Sequence, residues 1–374
     1  MKSQILIDTN AIKHNLSQFQ QISKPANVIP IVKSNSYGHG DQQVFQALQE
    51  AHCPMIGVNY TAEGQTWRDL GFEGRILVLG PISKEDLILC SSLDLEAFIA
   101  NAPILDQWLQ MDPRPKGHLK FDTGMARQGF FPEQASKLVE QLAPYKEDIQ
   151  GLCSHFANVE DVLEHDYARE QIKRFKEALA VFRSQGFDVE AHIASSASGL
   201  LLPDSRFDFV RLGISLYGLW PSPATRLSYL QINQSLIDLK PALSWTTEIS
   251  SIKSIEANQF IGYGCTYRAV QPMTIAVLPV GYFEGFPRLA GAHGAYVLAH
   301  GMRCPIVGRV CMNMMMVDIS HLQDPQIGDR VTLIGTEQDE SISAAALAAW
   351  ADTIHYEMLS RLNPIIPRFT GGQP

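Results

Sequence analysis

The sequence predicts an α/β fold: a (β/α)8 TIM barrel followed by a C-terminal, mainly antiparallel β domain. Three observations carry that expectation. Eight short apolar runs alternate with helical patterns up to about residue 215, the pattern changes near residue 240, and 374 residues exceed what one hydrophobic core usually supports. The eight runs are VIPIVK (28–33), MIGVNY (55–60), RILVLG (75–80), LDLEAFI (93–99), HLKFD (118–122), IQGLCSHF (149–156), VEAHIAS (189–195) and FVRLGIS (209–215). Parallel strands covered by helices are buried on both faces and read as such near-continuous apolar runs.

Between them lie helical patterns such as DQQVFQALQEAH, PEQASKLVEQL and DYAREQIKRFKEALAVFRSQG, the last with Glu164 and Asp166 near its start and Gly186 at its stop. An opening helix in IDTNAIKHNLSQFQ has Asp8 or Thr9 as its cap. From about residue 240, LSWTTEISSIKSIE, MTIAVLPVGY, AYVLAHGMRCPIVGRVCM and RVTLIG are short strands between Gly, Pro and Asn turns, the signature of an antiparallel domain. The expected boundaries are 8–235 for the barrel and 236–374 for the β domain, with residues 1–7 candidates to join the latter.

Composition removes several function classes. A net charge of −9 without a basic stretch argues against nucleic acid as a partner. The start, MKSQILIDTN, lacks an apolar signal region, and no run approaches the ~20 apolar residues that span a bilayer, so a cytoplasmic protein is expected. Six cysteines without a CxxC pair indicate free thiols, and no metal-ligand cluster stands out.

Barrel active sites sit at the C-terminal ends of the strands. Alternation in HLKFD turns His118, Lys120 and Asp122 inward, and in FVRLGI it turns Arg211 and Gly213 inward. A buried cation without a partner is costly, and arginine cannot shed its proton to escape. Each residue also has a bland reading: Lys33 as a solvated strand end, His155 as a core histidine, Arg211 in a structural ion pair, Ser195 and Ser196 as a helix cap. Taken together, an amine, several cations and a serine turn at one barrel mouth suggest pyridoxal 5'-phosphate held by lysine as a Schiff base.

At this point a family likeness enters. VKSNSYGHG resembles the cofactor-lysine motif VKANAYGHG of alanine racemases, and KFDTGMARQG resembles their KxDTGMxRxG stretch. SHF (154–156), VRLGISLYG (210–218), GYGCTY (262–267), LPVGY (278–282) and VGRVCM (307–312) match in order through nearly the whole chain. The resemblance implies a head-to-tail homodimer with shared active sites that interconverts L- and D-alanine by a two-base mechanism on a pyridoxal phosphate aldimine, supplying D-alanine for peptidoglycan. It implies that Lys33 holds the cofactor and is one base, and that Tyr263 of the partner subunit is the other. Arg211 would face the pyridine nitrogen, and Tyr37, Ser196, Gly213, Ile214 and Tyr356 would hold the phosphate. Arg127 and the backbone at Met312 would receive the substrate carboxylate, His155 would adjoin Tyr263 and Arg211, and Lys120 matches a lysine often carbamylated in the family. The alternative for Lys120 is an unmodified amine paired with Asp122.

Two bases suit racemisation, because the proton must leave one face of Cα and return on the other. A permanent cation at Arg211 disfavours protonation of the pyridine, which predicts that Arg211→Glu raises side transamination. The chain departs from the family pattern at Ser195 (usually Asn), Asn313 (usually Asp) and VGYFEG (usually VGYADG), which opens broader substrates such as serine. The rival readings are a decarboxylase of related fold, against which Tyr263 speaks, and a non-catalytic pyridoxal phosphate carrier, which would lack the second domain.

Overall fold

The computed structural model describes residues 3–160 and 165–371, so Glu164, expected near a helix start, lies outside the described residues. Its strands, in chain order, are β1 (Gln4–Ile7), β2 (Asn27–Pro30), β3 (Met55–Val58), β4 (Arg75–Val78), β5 (Leu95–Ile99), β6 (Gly117–Lys120), β7 (Ile149–Cys153), β8 (Glu190–His192), β9 (Phe209–Leu212), β10 (Leu243–Glu248), β11 (Ser251–Ile255), β12 (Phe260–Ile261), β13 (Tyr267–Arg268), β14 (Met273–Leu278), β15 (Tyr296–Ala299), β16 (Met302–Pro305), β17 (Met315–Asp318), β18 (Arg330–Glu337), β19 (Glu340–Ile342) and β20 (Arg368–Thr370). The chain divides into two compact units. One is Asn10–Ser34 with Val44–Pro241; the other joins the residues up to Thr9, Asn35–Gln43 and everything from Ala242.

In the first unit, β3 to β8 form a parallel sheet in sequential order, and β2 pairs in parallel with β9. Parallel bridges Ile31↔Gly57 and Ala194↔Val210 connect the two pieces and close the barrel. Each of these eight strands overlaps one apolar run of the sequence, β2 and β6 starting one residue before theirs. The helices cover them with faces at three- and four-residue spacing: Asp166–Ser184 buries the apolar Ala168, Ile172, Phe175, Ala178, Leu179 and Phe182, and with them the hydrogen-bonded Gln171.

Each strand is shorter than its run, and in all but β5 the last residues of the run lie beyond the strand, at the mouth. β2 ends at Pro30, and Lys33 opens a helical turn, Lys33–Tyr37, in which Ser34, Asn35, Ser36 and Tyr37 all have φ between 51° and 57°. This turn is left-handed. It costs roughly 1–2 kcal/mol per residue for L-amino acids. Local hydrogen bonds hold it: Asp41 accepts from the Ser36 hydroxyl at 2.6 Å, and Gly40 N–H donates to the Asn35 carbonyl at 3.1 Å.

The second unit is built on the sheet β16-β15-β18-β10-β1-β20, with β19 added on β18. The N-terminal strand β1 runs antiparallel to β10 and parallel to β20. Trp245 on β10 is fully buried, and its indole N–H donates to Ser3 Oγ at 2.8 Å. A three-stranded antiparallel sheet, β11-β14-β17, and the β12-β13 pair complete it. Among the described residues, no helix is long and apolar enough to cross a membrane.

Candidate active site

Arg211, on β9, is 6% exposed and supports the barrel interior through an unusual set of acceptors. Its Nη1 donates to His192 Nδ1 at 2.6 Å and to the His192 carbonyl at 3.0 Å. Its Nη2 donates to the carbonyls of Ser154 (2.7 Å) and Ile193 (3.1 Å) and to His155 Nδ1 (3.0 Å). No carboxylate takes part. The η hydrogens are therefore all engaged, and the Nε–H has no acceptor among the described residues. Burial lowers the guanidinium to about 10, still charged at neutral pH.

The same guanidinium controls its neighbours. Burial and then the Arg211 charge hold His155 and His192 well below the ordinary histidine range, so both rings stay neutral. Lys33, just beyond β2, is lowered by burial and by the Arg127 and Arg211 charges, while Glu63 acts in the opposite direction. Glu63 is held in place by the N–H groups of Ser34 and Asn59, both at 2.6 Å.

Lys120, at the end of β6, is 4% exposed and is lowered to about 7, mainly by burial. Its Nζ lies 5.8 Å from the centroid of the Phe98 ring. Asp122 does not hydrogen-bond it. Asp122 Oδ1 accepts from the N–H groups of Gly124, Met125 and Ala126, and Oδ2 from that of Arg127, at 2.8–3.1 Å. The carboxylate thereby fixes the loop that carries Arg127, whose side chain is exposed. Ser196 opens the turn after β8, with its Oγ accepting from Gly213 N–H at 3.0 Å, and Ile214 follows in a buried turn. Ser195 occupies the N-cap position before it.

The remaining candidates lie on the β unit. Tyr37 and Tyr356 face each other with ring centroids 6.3 Å apart. Tyr263 sits in a turn between Gly262 (φ 77°) and Gly264 (φ 73°) and is 71% exposed. Met312 lies on an exposed loop tied to the neighbouring turn: its carbonyl accepts from Phe283 N–H at 2.9 Å, and its own N–H has no acceptor among the described residues. Buried Glu284 joins both segments, accepting from Gly281 N–H at 2.8 Å and from the Asn313 amide at 2.9 Å. Two of the sequence departures thus contact each other.

Glu96 and His192 were not singled out by sequence. The signal that exposed Lys120, a polar residue inside an apolar strand, was equally present in LEAFI and EAHIA.

Comparison with known proteins places the chain in a family. The model of the alanine racemase N-terminal domain matches residues 7–221, and that of the C-terminal domain matches 242–370. An alanine racemase of Leptospira interrogans serovar copenhageni is 39% identical over 98% of this chain and 95% of its own; that of Symbiobacterium thermophilum is 37% identical over 98% and 96%. Among solved structures, alanine racemase from Streptomyces lavendulae superposes with a TM-score of 0.90 at 28% identity, covering 100% of this chain and 98% of its own. The Bacillus anthracis enzyme with bound L-Ala-P gives 0.89 at 31%, covering 99% and 95%. With both halves matched and relatives this similar over nearly their full length, the chain belongs to the alanine racemase family, isomerases that interconvert L- and D-alanine.

Proposed function

We propose that this chain racemises alanine on pyridoxal 5'-phosphate held by Lys33, with Lys33 and Tyr263 as bases on opposite faces of the substrate Cα. The observation that carries the reading is the pairing, at one barrel mouth, of a lysine with a lowered pKa and a buried arginine that keeps one N–H without an acceptor among the described residues. That donor set fits the cofactor: an amine for its aldehyde, and an N–H for the lone pair of an unprotonated pyridine nitrogen. When bound, pyridoxal phosphate supplies an imine-forming carbonyl and a conjugated ring that takes up the electron pair left at Cα.

The chain's own groups do the rest. A lysine pushed down by burial and by two guanidinium charges is neutral at lower pH than a free one, so Lys33 Nζ can accept the α-proton on its face. Tyr263 Oη holds the proton for the other face. Ser196, the N–H groups of Gly213 and Ile214, and the hydroxyls of Tyr37 and Tyr356 hold the phosphate, and His155 keeps Arg211 oriented. Arg127 and the Met312 N–H receive the substrate carboxylate. Lys120, lowered to about 7 and without the Asp122 hydrogen bond, is a nucleophile for carbon dioxide: its nitrogen bonds the carbon, a proton leaves to solvent, and the resulting carbamate pairs with Arg127.

The exposure of Tyr263 on its own chain supports a homodimer in which each subunit lends this residue to the other. Six free thiols suit a reducing cytoplasm, and D-alanine for cell-wall peptidoglycan is the product's use in this reading.

The test is proton NMR of L-alanine in D2O with the cofactor-loaded protein, read beside chiral analysis. Matched α-deuteration and D-alanine formation, abolished in Lys33→Ala and strongly reduced in Tyr263→Phe, is the expected result. Exchange without inversion would remove Tyr263 from its role, and absence of exchange would remove the racemase reading.

A further inference from the structure

The barrel axis carries a continuous hydrogen-bonded chain that begins far from the mouth. Arg75 starts β4 and Glu190 starts β8, so both lie at the N-terminal ends of the strands; Arg75 bonds Glu190 at 2.7 Å and, through Nε, Glu96 Oε1 at 2.5 Å. Glu96 Oε2 meets His118 Nε2 at 2.8 Å, His118 Nδ1 meets His192 Nε2 at 3.0 Å, and His192 Nδ1 meets Arg211 Nη1 at 2.6 Å. Both histidines are fully buried, and Glu96 is 7% exposed.

One end dictates every proton in this chain. Arginine only donates, so His192 Nδ1 must accept, and a neutral imidazole then carries its proton on Nε2. That proton goes to His118 Nδ1, which places the His118 proton on Nε2, facing an acceptor-only carboxylate. The polarity runs one way, from Arg211 to Glu96. Glycine at 151 leaves room for it, since a Cβ there would come within 2.4 Å of His118 Nδ1.

We propose that Glu96 is a positioning residue for the reaction: by fixing the tautomers of His118 and His192, it keeps a lone pair aimed at Arg211 and so holds the guanidinium that meets the cofactor. This rests on the reading of Arg211 given above for its catalytic consequence, but not for the tautomers. Glu96→Gln should reverse the chain. Arg75 contacts Oε1 at 2.5 Å and Oε2 at 3.0 Å, so the amide NH2 will take the weaker, Oε2 side and face His118 as a donor. His118 and His192 must then both carry their protons on Nδ1, and His192 would oppose the arginine donor to donor.

The experiment is long-range 1H–15N correlation on 15N-histidine-labelled holoenzyme, with rings assigned by His118→Gln and His192→Gln. The expected result is Nε2–H for both rings in the unmodified protein, Nδ1–H for both in Glu96→Gln, and a kcat lowered roughly ten- to hundredfold with KM within about twofold, as for other outer partners of functional imidazoles. Glu190→Gln removes the other carboxylate from Arg75 and should leave tautomers and kcat unchanged. A proton on Nδ1 of either ring in the unmodified protein overturns the proposal even if Glu96→Gln fails to fold. Reversed tautomers with unaltered kcat overturn the positioning role. Loss of alanine turnover in the unmodified protein would instead refute the racemase reading, with the tautomers still deciding the chain.

Discussion

Inside the barrel, Arg211 is 6% exposed and its η hydrogens all meet protein acceptors, whereas on the β unit Tyr263 is 71% exposed and stands on a turn between two glycines. The barrel's groups are buried and pre-oriented; the β unit presents Tyr263, its proposed base, outward on a short loop. The difference teaches that the barrel can set protonation states on its own, through desolvation and neighbouring charge, while Tyr263 is left largely in solvent on its own chain and, in the proposed dimer, would take its environment from the partner.

The largest expected effect tests that division directly. Lys33→Ala and Tyr263→Phe should each lower alanine turnover by at least about 10²-fold, as removal of a general base does. Mixed and allowed to exchange subunits, the two inactive proteins should regain about a quarter of normal turnover, since half the dimers are mixed and each holds one intact site. No recovery would mean that both bases come from one chain.

Next in size is Lys120. Its folded pKa is about 7 against about 10.4 unfolded, so the unfolded chain binds an extra proton between those values. The burial penalty is complete below pH 7 and is relieved as pH rises toward 10.4. In buffer free of carbon dioxide, the stability of the unmodified protein relative to Lys120→Met should therefore rise from pH 7 to 9.5, by on the order of a few kcal/mol. Calorimetry with parallel profiles for the two proteins would refute the buried-amine assignment. With 13C-bicarbonate, the carbamate resonance should appear in the unmodified protein and be missing from the variant.

A smaller effect separates ordering on the β unit from chemistry. Glu284→Gln replaces one of the two acceptors joining Gly281 and Asn313 with a donor, at a cost of about 1 kcal/mol. If that loop carries the carboxylate site, steady-state kinetics should show KM for alanine raised about fivefold with kcat nearly unchanged; a fall in kcat alone would break the assignment. Smallest is Ser83→Ala in the barrel, which removes the cap on helix Lys84–Ser92 and should cost about 1 kcal/mol in denaturant unfolding without altering turnover.

Much of this was legible in sequence because burial leaves a local trace. A cation within an apolar run, as at Lys120 or Arg211, marks an inward-facing polar group whatever the rest of the fold does. The left-handed turn after Lys33 was not legible, although Asn35, Gly38 and Gly40 are residues that tolerate such φ values, because four consecutive non-glycine residues at positive φ contradict local preference. A pair with Asp122 is the alternative to carbamylation that the sequence leaves open for Lys120, but nearby backbone N–H groups take both Asp122 oxygens.

The sequence by itself determined the eight barrel runs, the change of pattern near residue 240 and the identity of the cations at the mouth, since each depends on periodicity or residue type within a few positions. Only the tertiary structure decided which groups meet. Glu96, His118, His192 and Arg211 come from four different strands, and their alignment into one chain of hydrogen bonds follows from barrel closure and strand register, which no local pattern encodes.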